Sequence, residues 1–289
     1  MLTRNAPCKI NLMLAITGVR DDGFHDLVSL VAPVDFCDTL GCEFFSGTHD
    51  RLFCDMPGVP CDENNLVMRA TKLFRERVPA LPPLTWHLQK RVPHGAGLGG
   101  GSSDAATALK MMNEICDKCV PAEELLRLGA SLGSDVSLFF GGNALVMRGR
   151  GERVETLNEA QSAALRERKF LLFKPAFGVS TAEVYGKMRR EGRFYVPAAE
   201  AEKMLGAWLK NPTGTLPLFN NMELPVFEKY LALPTLFEIL RERFGVCAHM
   251  SGSGSACFVE ITEDSAVPAM SETIRAAWGE SAFVREVSL

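Results

Sequence analysis

No apolar run in this chain approaches the roughly 20 residues that a membrane span needs. The apolar stretch nearest the N-terminus, Ile10 to Ile16, is short, is interrupted by Asn11 and lacks a small-residue cleavage site, so no signal peptide is expected. A cytoplasmic location without membrane attachment is the resulting expectation. Basic excess is missing too. Lys and Arg number 31 against 35 Asp and Glu, a formal net charge of −4, which argues against a general electrostatic grip on nucleic acid. The nine cysteines are odd in number and scattered, in a chain long enough to need no bridges, so reduced thiols are expected. Cys116 and Cys119 form a Cys-x-x-Cys, but no second pair at zinc spacing exists, and the segment reads as helix end rather than as a strand–helix redox junction. Internal repeats and low-complexity stretches are absent. What remains is 289 residues with 47% hydrophobic and 23% charged content, the balance of a globular protein of one large domain or two modest ones.

The pattern along the chain mixes strands and helices throughout. Residues 6–16, 27–35, 38–45 and 84–92 read as strands, with a turn at Asp21-Asp22-Gly23. Helical spacing runs over 66–74 with Asn64 or Asn65 as cap, over 105–115, and from Pro121 to about Gly129–Gly133. Leu138–Phe140 and Ala144–Met147 read as strand-like. The second half adds strands at 170–174 and 256–261 and helices at 181–190, 223–230, 233–244 and 265–278. The charged stretch 148–168 places a domain boundary near residue 158.

The segment Pro93-His94-Gly95-Ala96-Gly97-Leu98-Gly99-Gly100-Gly101-Ser102-Ser103-Asp104 is the most informative. Five of its twelve residues are Gly, and a strong helix former follows. Glycines let successive N–H groups turn into one concavity. A helix N-terminus adds orphan N–H groups and the positive end of its dipole, so the combination suits a phosphate. Three readings compete. Gly95-x-Gly97-x-x-Gly100 matches the dinucleotide string, but the acidic residue expected about 20 positions later falls within a helix, around Glu114 and Asp117. A Walker A loop needs a Lys that does not occur between Pro93 and Leu109. A ligand-free loop favours more mixed turn residues.

This segment resembles the ATP loop of the GHMP kinases (galactokinase, homoserine kinase, mevalonate kinase and relatives). Five other segments agree, in order: Pro7-Cys8-Lys9-Ile10-Asn11-Leu12, Gly18 to Leu27 with its Asp22-Gly23-Phe24-His25, Leu132 to Phe139 with Gly133-Ser134-Asp135, Asn220-Asn221-Met222-Glu223, and Met250 to Phe258. Cys8 stands where Ala is usual and Ser137 where Pro is usual. The resemblance implies an α+β, two-domain GHMP kinase fold. Its parts would be a ribosomal-S5-domain-2-like N-terminal domain (1–158) and a ferredoxin-like C-terminal domain (159–289). It implies ATP as co-substrate, Mg²⁺ carried mainly by ATP, and a small-molecule acceptor bound by a monomer or weak homodimer. The branch it most resembles implies transfer to the 2-hydroxyl of 4-diphosphocytidyl-2-C-methyl-D-erythritol, in non-mevalonate isoprenoid synthesis. Another small alcohol, or a non-catalytic ATP-binding regulator, are the alternatives.

Residue by residue, the resemblance implies that Asp135 accepts the hydroxyl proton, although an Asp after Gly-Ser is by itself a turn or cap residue. Lys9 would stand beside it. A Lys within an apolar strand is costly unless paired. Pro93, His94, Gly95, Ala96, Gly97, Leu98, Gly99, Gly100, Gly101, Ser102 and Ser103 would hold ATP, with Gly252, Ser253 and Gly254 as a supporting loop. Phe24 would stack on cytosine, His25 would bond its edge and Tyr185 would cover the opposite face. Asn11 contacts the substrate or orients Lys9, or is simply a polar residue on a strand's solvent face. Asp104, at a helix start beside triphosphate, would repel it unless it faces away or reaches Mg²⁺.

Overall fold

The computed structural model describes residues 1–166 and 168–289. Contacts divide the chain into two units. The first comprises Met1–Lys9, Asp35–His94 and Gly99–Asn143; the second comprises Ile10–Val34, Gly95–Leu98 and Ala144–Leu289.

Two long strands run through both units, β1 (Leu2–Val19) and β2 (His25–Phe44). The turn joining them closes on Gly23, whose N–H reaches the Arg20 carbonyl at 3.0 Å. The two strands expected at 27–35 and 38–45 are one continuous β2. In the first unit β3 (Arg51–Cys54) lies parallel to β4 (Leu84–Gln89), and β4 is antiparallel to β2 with Thr39 opposite Gln89. Helices α1 (Leu66–Arg77), α2 (Gly100–Ile115) and α3 (Ala122–Leu132) pack on one another. Asn65 caps α1, its side chain accepting the Val67 N–H at 2.9 Å. Trp86, Phe74 and Leu40 are fully buried in this unit.

Two expectations fail here. Helix α2 starts at Gly100, five residues before Ala105, so three helix-averse residues at its start (Gly100, Gly101, Ser102) are helical all the same. Gly99, at φ +68°, caps it in the left-handed region. Leu138–Phe140 is no strand. It belongs to a 3₁₀ turn, Ser137–Phe140, with Leu138 and Phe139 buried.

In the second unit β5 (Leu145–Gly149) is antiparallel to the first half of β2 and pairs with β6 (Arg153–Thr156). After α4 (Glu159–Leu165) come β7 (Lys169–Lys174), α5 (Thr181–Glu191) and α6 (Ala198–Lys210). Then follow β8 (Phe219–Asn220), α7 (Glu223–Phe227), α8 (Ala232–Phe244), β9 (Ala248–Met250), β10 (Cys257–Ile261), α9 (Val267–Trp278) and β11 (Phe283–Ser288). A second sheet has the antiparallel order β11-β7-β10-β9. Leu171, Phe173 and Val259 of this sheet share a buried cluster with Val184 and Met188 of α5, Leu236 and Leu240 of α8, and Ile274 of α9.

Strand β8 pairs in parallel with β1 only at Met13 and Leu14. Asn221 continues where it stops. Its side chain accepts the Ile16 N–H at 2.8 Å and donates to the carbonyls of Ile16 and Phe194, each at 2.8 Å. Among the described residues no helix is long and apolar enough to cross a membrane.

Candidate active site

Strand β1 delivers Lys9 between Cys8 and Ile10, both fully buried. Its side chain is 4% exposed, and its ammonium lies 3.6 Å from Asp135 Oδ2. Asp135 sits in the turn after α3, where the Val136 N–H bonds back to the Gly133 carbonyl at 3.1 Å. Its side chain is 41% exposed. A buried cation thus faces a carboxylate that solvent can reach.

The start of α2 belongs to the same unit. A Cβ on Gly99 would stand 3.1 Å from both Lys9 Cγ and Phe139 Cζ, so the glycine seats the helix start directly on the Lys9 stem. Among the described residues no side chain caps this helix end. Its first N–H groups are therefore open to an acceptor. Ser103 Oγ is buried without a hydrogen-bond partner, while Ser102 is half-buried. Pro93 is half-buried and His94 exposed. Asp104 turns away from the helix tip, and its Oδ2 accepts from Lys90 Nζ at 3.0 Å.

In the second unit Gly95–Leu98 lies against Ser251–Ser255. The Ala256 N–H donates to the Ala96 carbonyl at 3.0 Å, and Ser251 Oγ donates to the Gly97 carbonyl at 3.1 Å. The same hydroxyl accepts the Asn11 N–H at 3.2 Å. A Cβ on Gly97, at φ +79°, would lie 2.2 Å from the Ser251 carbonyl oxygen, so no other residue fits there. Asn220 holds the far side of this loop by donating to the carbonyls of Met250, at 2.6 Å, and Gly252, at 2.8 Å. Ser253 Oγ bonds Thr181 Oγ1 at 2.6 Å. Asn11 is buried and donates to Ser29 Oγ at 3.0 Å, so it does not lie on a solvent face.

His25 is also buried. Its ring lies 4.6 Å from that of Tyr185, and its Nε2 is 3.2 Å from Tyr195 Oη. Burial, with Arg189 second, holds its pKa below the ordinary 6.5, so the imidazole is neutral at neutral pH. Phe24 is 52% exposed, with Arg150 4.9 Å from its ring centre. The structure thus joins His25 to Tyr185 and sets Phe24 on Arg150. Sequence reasoning missed Tyr195, which follows no motif. It also gave no role to Ser251 and Asn220, although both lie in segments already singled out.

Two family models match the chain: the GHMP kinases N terminal domain over residues 65–143 and the GHMP kinases C terminal domain over residues 198–280. This chain belongs to the GHMP kinase family. The N-terminal model spans the glycine segment and Asp135; the C-terminal model spans Asn220 and Gly252 to Gly254. Among similar proteins, the chloroplastic 4-diphosphocytidyl-2-C-methyl-D-erythritol kinase of Oryza sativa subsp. japonica is 38% identical over 257 residues. That match covers 86% of this chain and 62% of the rice protein, less than two thirds of its length. The 4-diphosphocytidyl-2-C-methyl-D-erythritol kinase of Protochlamydia amoebophila is 38% identical over 253 residues, covering 88% of this chain and 82% of that protein. A crystal structure of 4-(cytidine 5'-diphospho)-2C-methyl-D-erythritol kinase matches all of both chains, with a TM-score of 0.79 and 32% identity. The Methanococcus jannaschii mevalonate kinase, with a TM-score of 0.72 and 14% identity over 100% of this chain and 98% of that one, shares the fold. The two-domain α+β architecture of the GHMP kinases is thus the architecture of this chain.

Proposed function

We propose that this GHMP kinase transfers the γ-phosphate of ATP to the 2-hydroxyl of 4-diphosphocytidyl-2-C-methyl-D-erythritol, yielding the 2-phosphate and ADP, a step of non-mevalonate isoprenoid precursor synthesis. The observation that carries the reading is the Lys9–Asp135 pair at 3.6 Å, with Gly99 directly on the Lys9 stem. A nucleotide-binding protein needs an anion cradle but no such pair.

Asp135 accepts the hydroxyl proton, or orients the hydroxyl, from a position open to it. Lys9, 3.6 Å from Asp135, steadies negative charge on the attacking oxygen. Phosphoryl transfer leans on positioning and electrostatics, so the N–H groups of the 93–103 segment carry much of the work. Gly252, Ser253 and Gly254 support that segment. His25, neutral and held by Tyr195, presents a ring nitrogen to the cytosine edge. Phe24 and Tyr185 supply aromatic faces for stacking, and Asn11 contacts the acceptor or orients Lys9. Among the described residues no group of three or more His, Cys, Asp or Glu is arranged for a metal. Mg²⁺ would accompany the ATP phosphates, where the Ser102 and Ser103 hydroxyls at the start of α2 offer oxygen donors, and would supply charge neutralisation there.

The test is ADP release from Mg·ATP by wild type and Asp135→Asn, each with and without the proposed acceptor. Acceptor-dependent ADP from wild type, largely lost in the variant, is the expected result. A folded wild type that binds ATP but shows no acceptor-dependent turnover sinks the assignment.

A further inference from the structure

Lys90, Asp38 and Asp104 form a closed charge cluster in the first unit. Their side chains are 3%, 0% and 3% exposed. The Lys90 ammonium donates to Asp38 Oδ2 and, at 3.0 Å, to Asp104 Oδ2. The other Asp38 oxygen accepts the backbone N–H groups of Arg91 at 2.6 Å and Val92 at 2.9 Å. Asp55 Oδ1 accepts the Lys90 N–H at 2.8 Å. Asp104 Oδ1 is buried without a hydrogen-bond partner.

As a stabilising device this is poor. Burying three ions is expensive, well-packed apolar residues do as well or better, and two carboxylates around one ammonium leave a negative charge over. Burial, with repulsion from Asp38, pushes the Asp104 carboxyl up to about 7 against the pull of Lys90. The cluster makes sense through what it joins. Lys90–Val92 leads into Pro93, where the glycine segment begins. Asp104 lies in the second turn of α2, just past the helix tip. A Cβ on Gly100 would stand 3.0 Å from Val92 Cγ1 and 3.2 Å from Lys90 Nζ, so the helix tip rests on this strand end.

We propose that Lys90 and Asp104 are positioning residues for the nucleotide. Their bond fixes the first turn of α2 to the end of β4 and so aims the N–H groups of Gly100, Gly101 and Ser102 at the ATP phosphates. Neither side chain touches the nucleotide. The proposal rests on the ATP-dependent reading above.

Asp104→Ala cuts the tie yet leaves Lys90 and Asp38 as a balanced pair. Asp104→Asn keeps an acceptor oxygen for Lys90. Binding of the non-hydrolysable analogue AMP-PNP with Mg²⁺, by titration calorimetry, and steady-state kinetics distinguish them. Asp104→Ala is expected to weaken AMP-PNP binding and raise KM for ATP by about tenfold, the scale of one lost charge-assisted hydrogen bond. Its kcat at saturating ATP and its KM for the acceptor stay within about twofold, and Asp104→Asn recovers binding to within about threefold. Equal binding by wild type and Asp104→Ala overturns the proposal. So does an equal loss in Ala and Asn variants, which would mark a packing role only. If Asp104→Ala does not fold, Lys90→Arg carries the test. Arg keeps the charge but replaces a point donor by a wider fork, so AMP-PNP binding should fall with kcat held, and unchanged binding overturns the tie. A wild type that fails to bind AMP-PNP removes the ATP reading itself, and this proposal with it.

Discussion

Two lysine–aspartate arrangements stand in the same unit, and they are built to opposite ends. Lys9 meets Asp135 across 3.6 Å, with the carboxylate 41% exposed. That is longer than the roughly 2.7–2.9 Å of a charge-assisted hydrogen bond, and it leaves the acid reachable. Lys90 is locked between Asp38 and Asp104, with no side chain of the three more than 3% exposed. The residue types are the same. Access to the carboxylate decides whether the pair can take a proton from a substrate or only hold the chain in place.

Loss of the open pair's carboxylate should be read in rate, and loss of Asp38 from the closed cluster in stability. Asp135→Asn should lower kcat by about 10²- to 10⁴-fold. Its unfolding free energy should stay within about 0.5 kcal/mol of wild type, as for a surface substitution. A parallel loss of stability in urea titrations would erase the contrast. Asp38→Ala should do the reverse, destabilising by about 3–5 kcal/mol because the Arg91 and Val92 N–H groups and a buried ammonium lose their partner. Equal stability in urea would show that the cluster holds nothing.

Gly97→Ala sharpens the comparison from the loop itself. At φ +79° and with a carbonyl oxygen 2.2 Å from the new Cβ, it should cost more than about 1 kcal/mol and raise KM for ATP. Kinetics indistinguishable from wild type would show that the approach to Ser251 does not shape the loop.

The smallest effect is in pH dependence. Asp104 has its folded pKa raised to about 7, so the native state keeps a proton that the unfolded chain releases. Its stabilising contribution is present below the ordinary carboxylate range and is lost as pH rises toward 7. Asp104→Asn removes that loss. The variant should therefore gain on wild type between pH 4 and 7, with a constant difference above pH 8, in urea unfolding across that range. A pH-independent difference would mean that Asp104 is ionised throughout.

Lys9, Asp135 and the glycine segment were legible because each lies in a short continuous motif whose chemistry is local. The boundary of α2 was not. Gly100, Gly101 and Ser102 are poor helix formers, and what surrounds them is supplied from elsewhere in the chain, by Lys9 and Phe139 at Gly99 and by Lys90 at Asp104. Asp38 and Lys90 are 52 positions apart and belong to no motif, so strand register alone brings them together. Helix α6, rich in Ala and Glu, has the composition of a helix former, with Ala201, Leu205 and Trp208 as its buried face. Tyr195 and His25 are 170 positions apart, and their contact depends on tertiary packing alone.

The Asn221 amide has a bearing on how the molecule behaves in company. Beyond Leu14, the edge of β1 would offer the Ile16 N–H and carbonyl as a template for a strand of another molecule. The Asn221 side chain takes both groups, the Val196 N–H also donates to the Ile16 carbonyl at 3.2 Å, and Ile16 is fully buried, so the edge is closed without adding a strand that itself has an edge. Replacing Asn221 by Leu would leave the buried Ile16 N–H and Phe194 carbonyl without this partner. The first sign should be a loss of about 1–3 kcal/mol in urea unfolding, ahead of any concentration-dependent association in light scattering.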